Sequence, residues 1–190
     1  MHKRSKALVL LISIAILISS VACMSPQYQH LKRGDNYSDK GNWNEAIAEY
    51  TKAIEIAPDL VKAYNNRSVA YTEKGDYIKA IVDCNRVIEM DPQSTIPYYN
   101  RSIAYLYNKD YQKALDDCDK ILMMGLTSAW VYYHRAMAYI GLATDTGDKN
   151  YYKDAHASLI LARQISTNAE FNKMIDQKLD TVANQMYPQK

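Results

Sequence analysis

The chain has 190 residues, and its aromatic content is nearly all tyrosine: 17 Tyr against 2 Trp and 1 Phe. Its 6 Gly and 5 Pro are about half of what an average usage of roughly 7% and 5% supplies, too few for a sandwich or barrel that turns about every 8–12 residues. At 48% hydrophobic and 23% charged it is neither a disordered tail nor a multi-span membrane protein, and a single helical domain with a real core is expected.

Residues 1–22, MHKRSKALVLLISIAILISSVA, start basic at Lys3, Arg4 and Lys6, run apolar from Ala7, and end on the small residues Ser20-Val21-Ala22. This is the pattern of a secretory signal. Three of the 23 basic residues and none of the 21 acids lie in it, so the remainder carries about −1. A basic binding surface loses its support, and nucleic acid is excluded as a partner. Cys23 follows directly. A small residue before a Cys at this place resembles a bacterial lipoprotein precursor, which implies cleavage before Cys23 and lipid on its thiol. Met24, rather than Asp, after the Cys resembles outer-membrane sorting where the host has an outer membrane. Ser-Val-Ala also suits simple secretory cleavage after Ala22, and an apolar run of about 16 residues is short for an uncleaved anchor. All three readings place residues 23 onward on the extracytoplasmic side of a membrane.

From residue 27 the chain repeats itself every 34 residues, a period that has to be tested before any secondary-structure reading. One register aligns Arg33, Arg67, Arg101 and Arg135. It also aligns Tyr37, Tyr71, Tyr105 and Tyr139; Trp43, Tyr77 and Tyr111; Ala46, Ala80 and Ala114; and Pro58 with Pro92. In the second unit Tyr64, Arg67-Ser68 and Tyr71 form one helical stripe. Gly75-Asp76 breaks that helix. Tyr77, Ala80-Ile81, Cys84 and Val87-Ile88 form the stripe of a second helix, which Pro92 ends. At these residues the chain resembles a tetratricopeptide repeat (TPR) protein. The resemblance implies an all-α solenoid of four helical hairpins over 27–168 (27–60, 61–94, 95–128 and 129–168), with a short tether at 23–29. The third unit departs from the pattern at Lys109, in the Gly slot, and at Leu126, in the Pro slot. The fourth carries about seven extra residues, ATDTGDK at 143–149, in its turn.

A stack of repeats leaves an apolar end that needs a cap. Phe171, Met174-Ile175, Leu179, Val182 and Met186 supply a helical stripe over 169–187, with Lys173, Asp176, Lys178 and Asp180 read as lying elsewhere on that helix.

The chemistry-bearing residues read mostly as scaffold. Acids stand sixteen residues after three of the column arginines, at Glu49, Asp83 and Asp117, so each repeat is expected to pair its own Arg and acid. Ser158 faces Arg135, which leaves Arg135 as the arginine expected to be free for a partner. Cys84 and Cys118 occupy equivalent core slots about 10 Å apart, beyond the roughly 7 Å Cα span of a disulfide, and are expected as buried free thiols. No catalytic constellation, metal motif or phosphate loop appears, and the chain is expected to be neither an enzyme nor the holder of a cofactor or metal.

What remains is the concave surface that the resemblance assigns to the first helix of each repeat. Its slots run from polar residues in the first two repeats to Tyr99, Ile103, Leu106 and Tyr107 in the third and Trp130, Tyr133, Met137 and Ile140 in the fourth. An apolar, aromatic face of this kind marks an interaction site, unless the cap helix covers it. The chaperone-binding clamp of this family is not implied, since its five positions hold Leu31, Asp35, Asn66, Ile96 and Asn100, and Asn66 alone matches. The expected function is a membrane-anchored adaptor that binds protein or peptide segments of the cell envelope. A pilotin-like assembly factor for a pilus or secretion system, or a self-associating structural protein, is the alternative.

Overall fold

A computed structural model describes residues 25–187. The predicted signal segment 1–22 and Cys23 lie outside them. Among the described residues there are nine helices and no strand: α1 Pro26–Ser38, α2 Trp43–Ile56, α3 Val61–Lys74, α4 Tyr77–Met90, α5 Thr95–Tyr107, α6 Tyr111–Met123, α7 Ala129–Thr146, α8 Asn150–Ile165 and α9 Ala169–Met186. The all-helical hairpin architecture expected from the repeat is therefore present. The chain divides into two compact units, one ending at Ala63 and the other starting at Tyr64. In the first, α1 packs on α2; in the second, α4 to α9 each pack on the next helix, and α5 also lies beside α7.

The first helices of three repeats stop in the same way. Asn42, Asp76 and Asp110 donate backbone N–H bonds of 2.9, 2.8 and 2.9 Å to the carbonyls of Tyr37, Tyr71 and Tyr105, five residues back. Gly41, Gly75 and Lys109 donate to the carbonyls three residues back, at 2.9, 3.0 and 3.1 Å. This is the Schellman arrangement, which requires a left-handed residue one place beyond the helix cap. Gly41 and Gly75 supply it at φ 72° and 89°, and Lys109 supplies it at 65° without glycine's freedom. The other departure, Leu126, has a related cause. Helix α6 does not need a proline to stop it, because Gly125 (φ 85°) and Leu126 close a Schellman turn on Leu122 and Ile121.

Side-chain size sets how closely paired helices approach. Gly34 on α1 faces the ring of the buried Tyr50 on α2, where any Cβ would collide with it. One repeat later the same two slots hold Ser68 and Cys84, and then Ser102 and Cys118, all four fully buried. Where the second-helix residue shrinks from tyrosine to cysteine, the facing first-helix residue grows from glycine to serine, a change in the compensating direction that offsets part of the lost bulk. Both thiols are free. Burial pushes each up to about 12, so they stay protonated and inert.

The insertion in the fourth repeat does not lengthen the turn as expected. Ala143–Thr146 instead extend α7 to 18 residues, with Ala143 buried, and Gly147 at φ 74° stops the helix. At the end of the chain, Asn168 caps α9 by accepting a 2.9 Å bond from the Phe171 N–H. The stripe Phe171, Ile175 and Val182 is buried against Ala136, Leu159 and Ala162 of the last hairpin.

Candidate functional site

Three members of the arginine column, Arg67, Arg101 and Arg135, are tied into the scaffold by acids. Arg67 donates two 2.8 Å bonds to Asp83 through Nε and Nη2. Arg101 does the same to Asp117, at 2.8 and 2.6 Å, and reaches Asn85 on the preceding repeat as well. Glu49 departs from this pattern. It accepts from Lys52 at 2.7 Å and lies 2.8 Å from His30 Nδ1, whereas Arg33 stands off at 3.5 Å. Burial alone would raise the Glu49 carboxyl, but Lys52 and His30 outweigh it and hold it below the usual value.

Arg135, expected to be free, is paired. With Ser158 in the acid slot, its guanidinium donates 2.6 Å to Asp119, sixteen residues earlier on α6, and bonds Ser158 with a second nitrogen. The expectation considers an acid only within its own repeat, whereas a stacked hairpin also offers the second helix of the preceding one. Arg135 is thus removed from the candidate site.

The predicted apolar face is a groove of about 300 Å³ in the second unit. Ile103, Leu106 and Tyr107 come from one face of α5 at the helical spacing i, i+3, i+4, and Tyr133 and Met137 come from the adjacent α7 one turn apart. These five of the predicted partner-binding residues are brought together. Tyr107 is the most open, 63% exposed, with its ring stacked on Tyr77 at 5.6 Å. The other predicted positions lie elsewhere. Tyr99 is half-buried against the core of Ile121 and Val131 and packs on His134. Ile140 packs into the last hairpin's core beside the cap helix. Trp130 is 45% exposed and stacks on Phe171 of α9 at 3.8 Å. Tyr133 meets the same Phe171 edge-on at 5.4 Å. The cap helix therefore takes one end of the aromatic face and leaves the groove open.

Three further residues line the groove beyond those expected: Tyr111, His134 and Lys178. The repeat register makes Tyr111 a packing residue, which it also is, since its ring fills the space beside Gly141. His134 stands 34 residues after Asn100 and falls in the column of Asn66 and Asn100, a signal the sequence did contain. Burial among rings lowers its imidazole to about 4, so it is neutral at physiological pH. Its buried Nδ1 has no hydrogen-bond partner among the described residues. Lys178 corrects the reading of the cap helix. It follows Phe171 by seven residues and Ile175 by three, which puts it on the same side of the helix as that stripe, where it is half-buried and lines the groove. Burial also raises the Tyr133 hydroxyl above its ordinary value.

Residues 34–75 match a family model described as TPR repeat, and 61–94 match one described as Tetratricopeptide repeat. The hairpins have the tetratricopeptide fold. Among solved structures, the chain is similar to TTC0263, a thermophilic TPR protein of Thermus thermophilus. That match has 17% identity and a TM-score of 0.67, and covers 85% of this chain and 83% of that one. It is similar also to MamA, from residue 41 to its end, of Desulfovibrio magneticus RS-1, at 15% identity, TM-score 0.67 and coverage of 85% and 92%. A third likeness is to the second TPR domain of human RPAP3 in complex with the HSP70 peptide SGPTIEEVD, at 20% identity, TM-score 0.55 and coverage of 59% and 97%. At these identities the likeness is one of fold. No curated protein matches the sequence. Among the described residues, no helix is long and apolar enough to cross a membrane, and no group of three or more His, Cys, Asp or Glu could hold a metal ion.

Proposed function

We propose that this chain is an exported adaptor, anchored by lipid on Cys23, that holds segments of cell-envelope proteins in the TPR groove between α5 and α7. The observation that carries the binding half is that Ile103, Leu106, Tyr107, Tyr133 and Met137 converge on one open groove. Tyr107, the most exposed of them, adds an open aromatic ring to that patch. RPAP3, which shares the fold, binds a peptide in its second TPR domain, and the same use of the fold is assigned here. The anchoring half rests on the signal-like residues 1–22 and the small residue before Cys23. Helix α1 starts at Pro26, earlier than the sequence suggested, so only Met24 and Ser25 separate Cys23 from it, about 10 Å at full extension. A domain tethered so closely meets partners at the same surface at high effective concentration, and modest affinity is enough for recruitment.

Each half has its own test. Cells fed radioactive fatty acid should label the wild-type protein and not Cys23→Ser; label retained on the variant would remove the lipid anchor. Affinity capture from solubilised envelope should recover a partner with the wild type and lose it with Tyr107→Ala combined with Met137→Ala, at unchanged helicity by circular dichroism. Equal capture by that variant would place binding elsewhere.

A further inference from the structure

The groove is not uniformly apolar. Lys178 is the one charged residue among those lining it, and it makes no ion pair with any described residue. His134 also lines it and is neutral, with Nδ1 buried and unpartnered. The groove is thus lined by one ammonium, a neutral imidazole and three tyrosines, and by no carboxylate. Its volume, about 300 Å³, lies at the small end for a binding pocket and suits an anchoring side chain rather than a whole ligand.

We infer that the segment held in this groove carries an acidic side chain next to a large apolar one, the apolar group seated between Ile103, Tyr107 and Met137 and the carboxylate meeting Lys178. This rests on the adaptor reading above and deepens it by naming the partner's chemistry. Charge complementarity selects the acid. A basic segment would meet Lys178 with like charge, and a wholly apolar one would cover the ammonium without a partner for it, which disfavours it.

The test uses the full chain in detergent and a random library of C-terminally amidated heptapeptides, so that any acid recovered is a side chain and not a chain end. Peptides selected on the wild type should place Asp or Glu beside Leu, Phe, Tyr or Trp, and should lose affinity for Tyr107→Ala. A selected peptide should bind Lys178→Gln roughly fivefold more weakly, the upper end for a partly exposed ion pair, and Lys178→Arg within about twofold. Its Glu→Gln counterpart should lose a similar factor on the wild type and nothing further on Lys178→Gln, which isolates the pairwise contact. Peptides that are apolar without an acid, or an acid preference that survives in Lys178→Gln, would overturn the inference while leaving the groove as a binding site. If no selected peptide is sensitive to Tyr107→Ala, the groove reading and this inference fall together.

Discussion

Replacing Lys109 by glycine should stabilise the protein, even though it removes a side chain from a helical repeat. Lys109 occupies the left-handed position at φ 65° that Gly41 and Gly75 hold in the two preceding repeats, with the same pair of backbone bonds around it. An L-residue held there costs about 1–2 kcal/mol. Glycine relieves that cost but widens the unfolded ensemble, which returns about 0.5–1 kcal/mol. Lys109 is exposed and no ion pair or hydrogen bond of its side chain offsets the gain. The net expectation is about 0.5–1 kcal/mol of added stability, or a Tm higher by roughly 2 °C in a chain of this size. Urea unfolding followed by circular dichroism should show a higher midpoint at unchanged slope, since the surface exposed on unfolding does not change. Gly75→Ala is the reverse control. A Cβ there would meet nothing nearer than the Tyr77 hydroxyl at 4.0 Å, so its expected loss of about 1 kcal/mol comes from backbone conformation alone. A midpoint for Lys109→Gly at or below that of the wild type would refute the strain argument.

Two further measurements test the scaffold and the site. Arg101→Ala should cost about 3 kcal/mol by urea unfolding, because it leaves the 6% exposed Asp117 carboxylate without its two-pronged partner. Arg33→Ala, half exposed and 3.5 Å from Glu49, should cost under about 0.5 kcal/mol. Equal losses would mean that the column acts uniformly. For His134, the unfolded imidazole takes up its proton near 6.5 and the folded one only near 4. Between those values the unfolded state binds the extra proton, so stability falls as pH falls through that window, by roughly 3 kcal/mol from this group. The stability of His134→Phe should therefore fall less steeply from pH 7 to 4, and parallel curves would show that the ring is not held neutral by burial.

The hairpins were legible in the sequence because each depends on local chemistry repeated at fixed spacing. The tyrosine and alanine stripes, the glycines at 41 and 75 and the prolines at 58 and 92 each act within their own repeat. The acids sixteen residues after Arg67 and Arg101 could be found in the same way. Where the sequence reading failed, the partner came from another element. Arg135 turns to Asp119 on the preceding repeat, a contact made between helices that a single repeat does not contain. Lys178 differs for a simpler reason: its charge assigns it to the polar side of the cap helix, although its spacing from Phe171 and Ile175 puts it on the stripe.

Of the 17 tyrosines that mark the composition, the repeat register alone assigned most to helix packing and a few to the face of the first helices. That assignment needs only periodicity, since a residue's side of a helix follows from its spacing. Which of those face residues remain open could be decided only by the packed structure. Tyr107 is left exposed while Tyr99 is drawn into the core and Tyr133 meets the cap, because accessibility depends on what the neighbouring helices cover. The same packing, by bringing the cap helix alongside α7, placed Lys178 and His134 in one groove and gave an otherwise apolar face its charge.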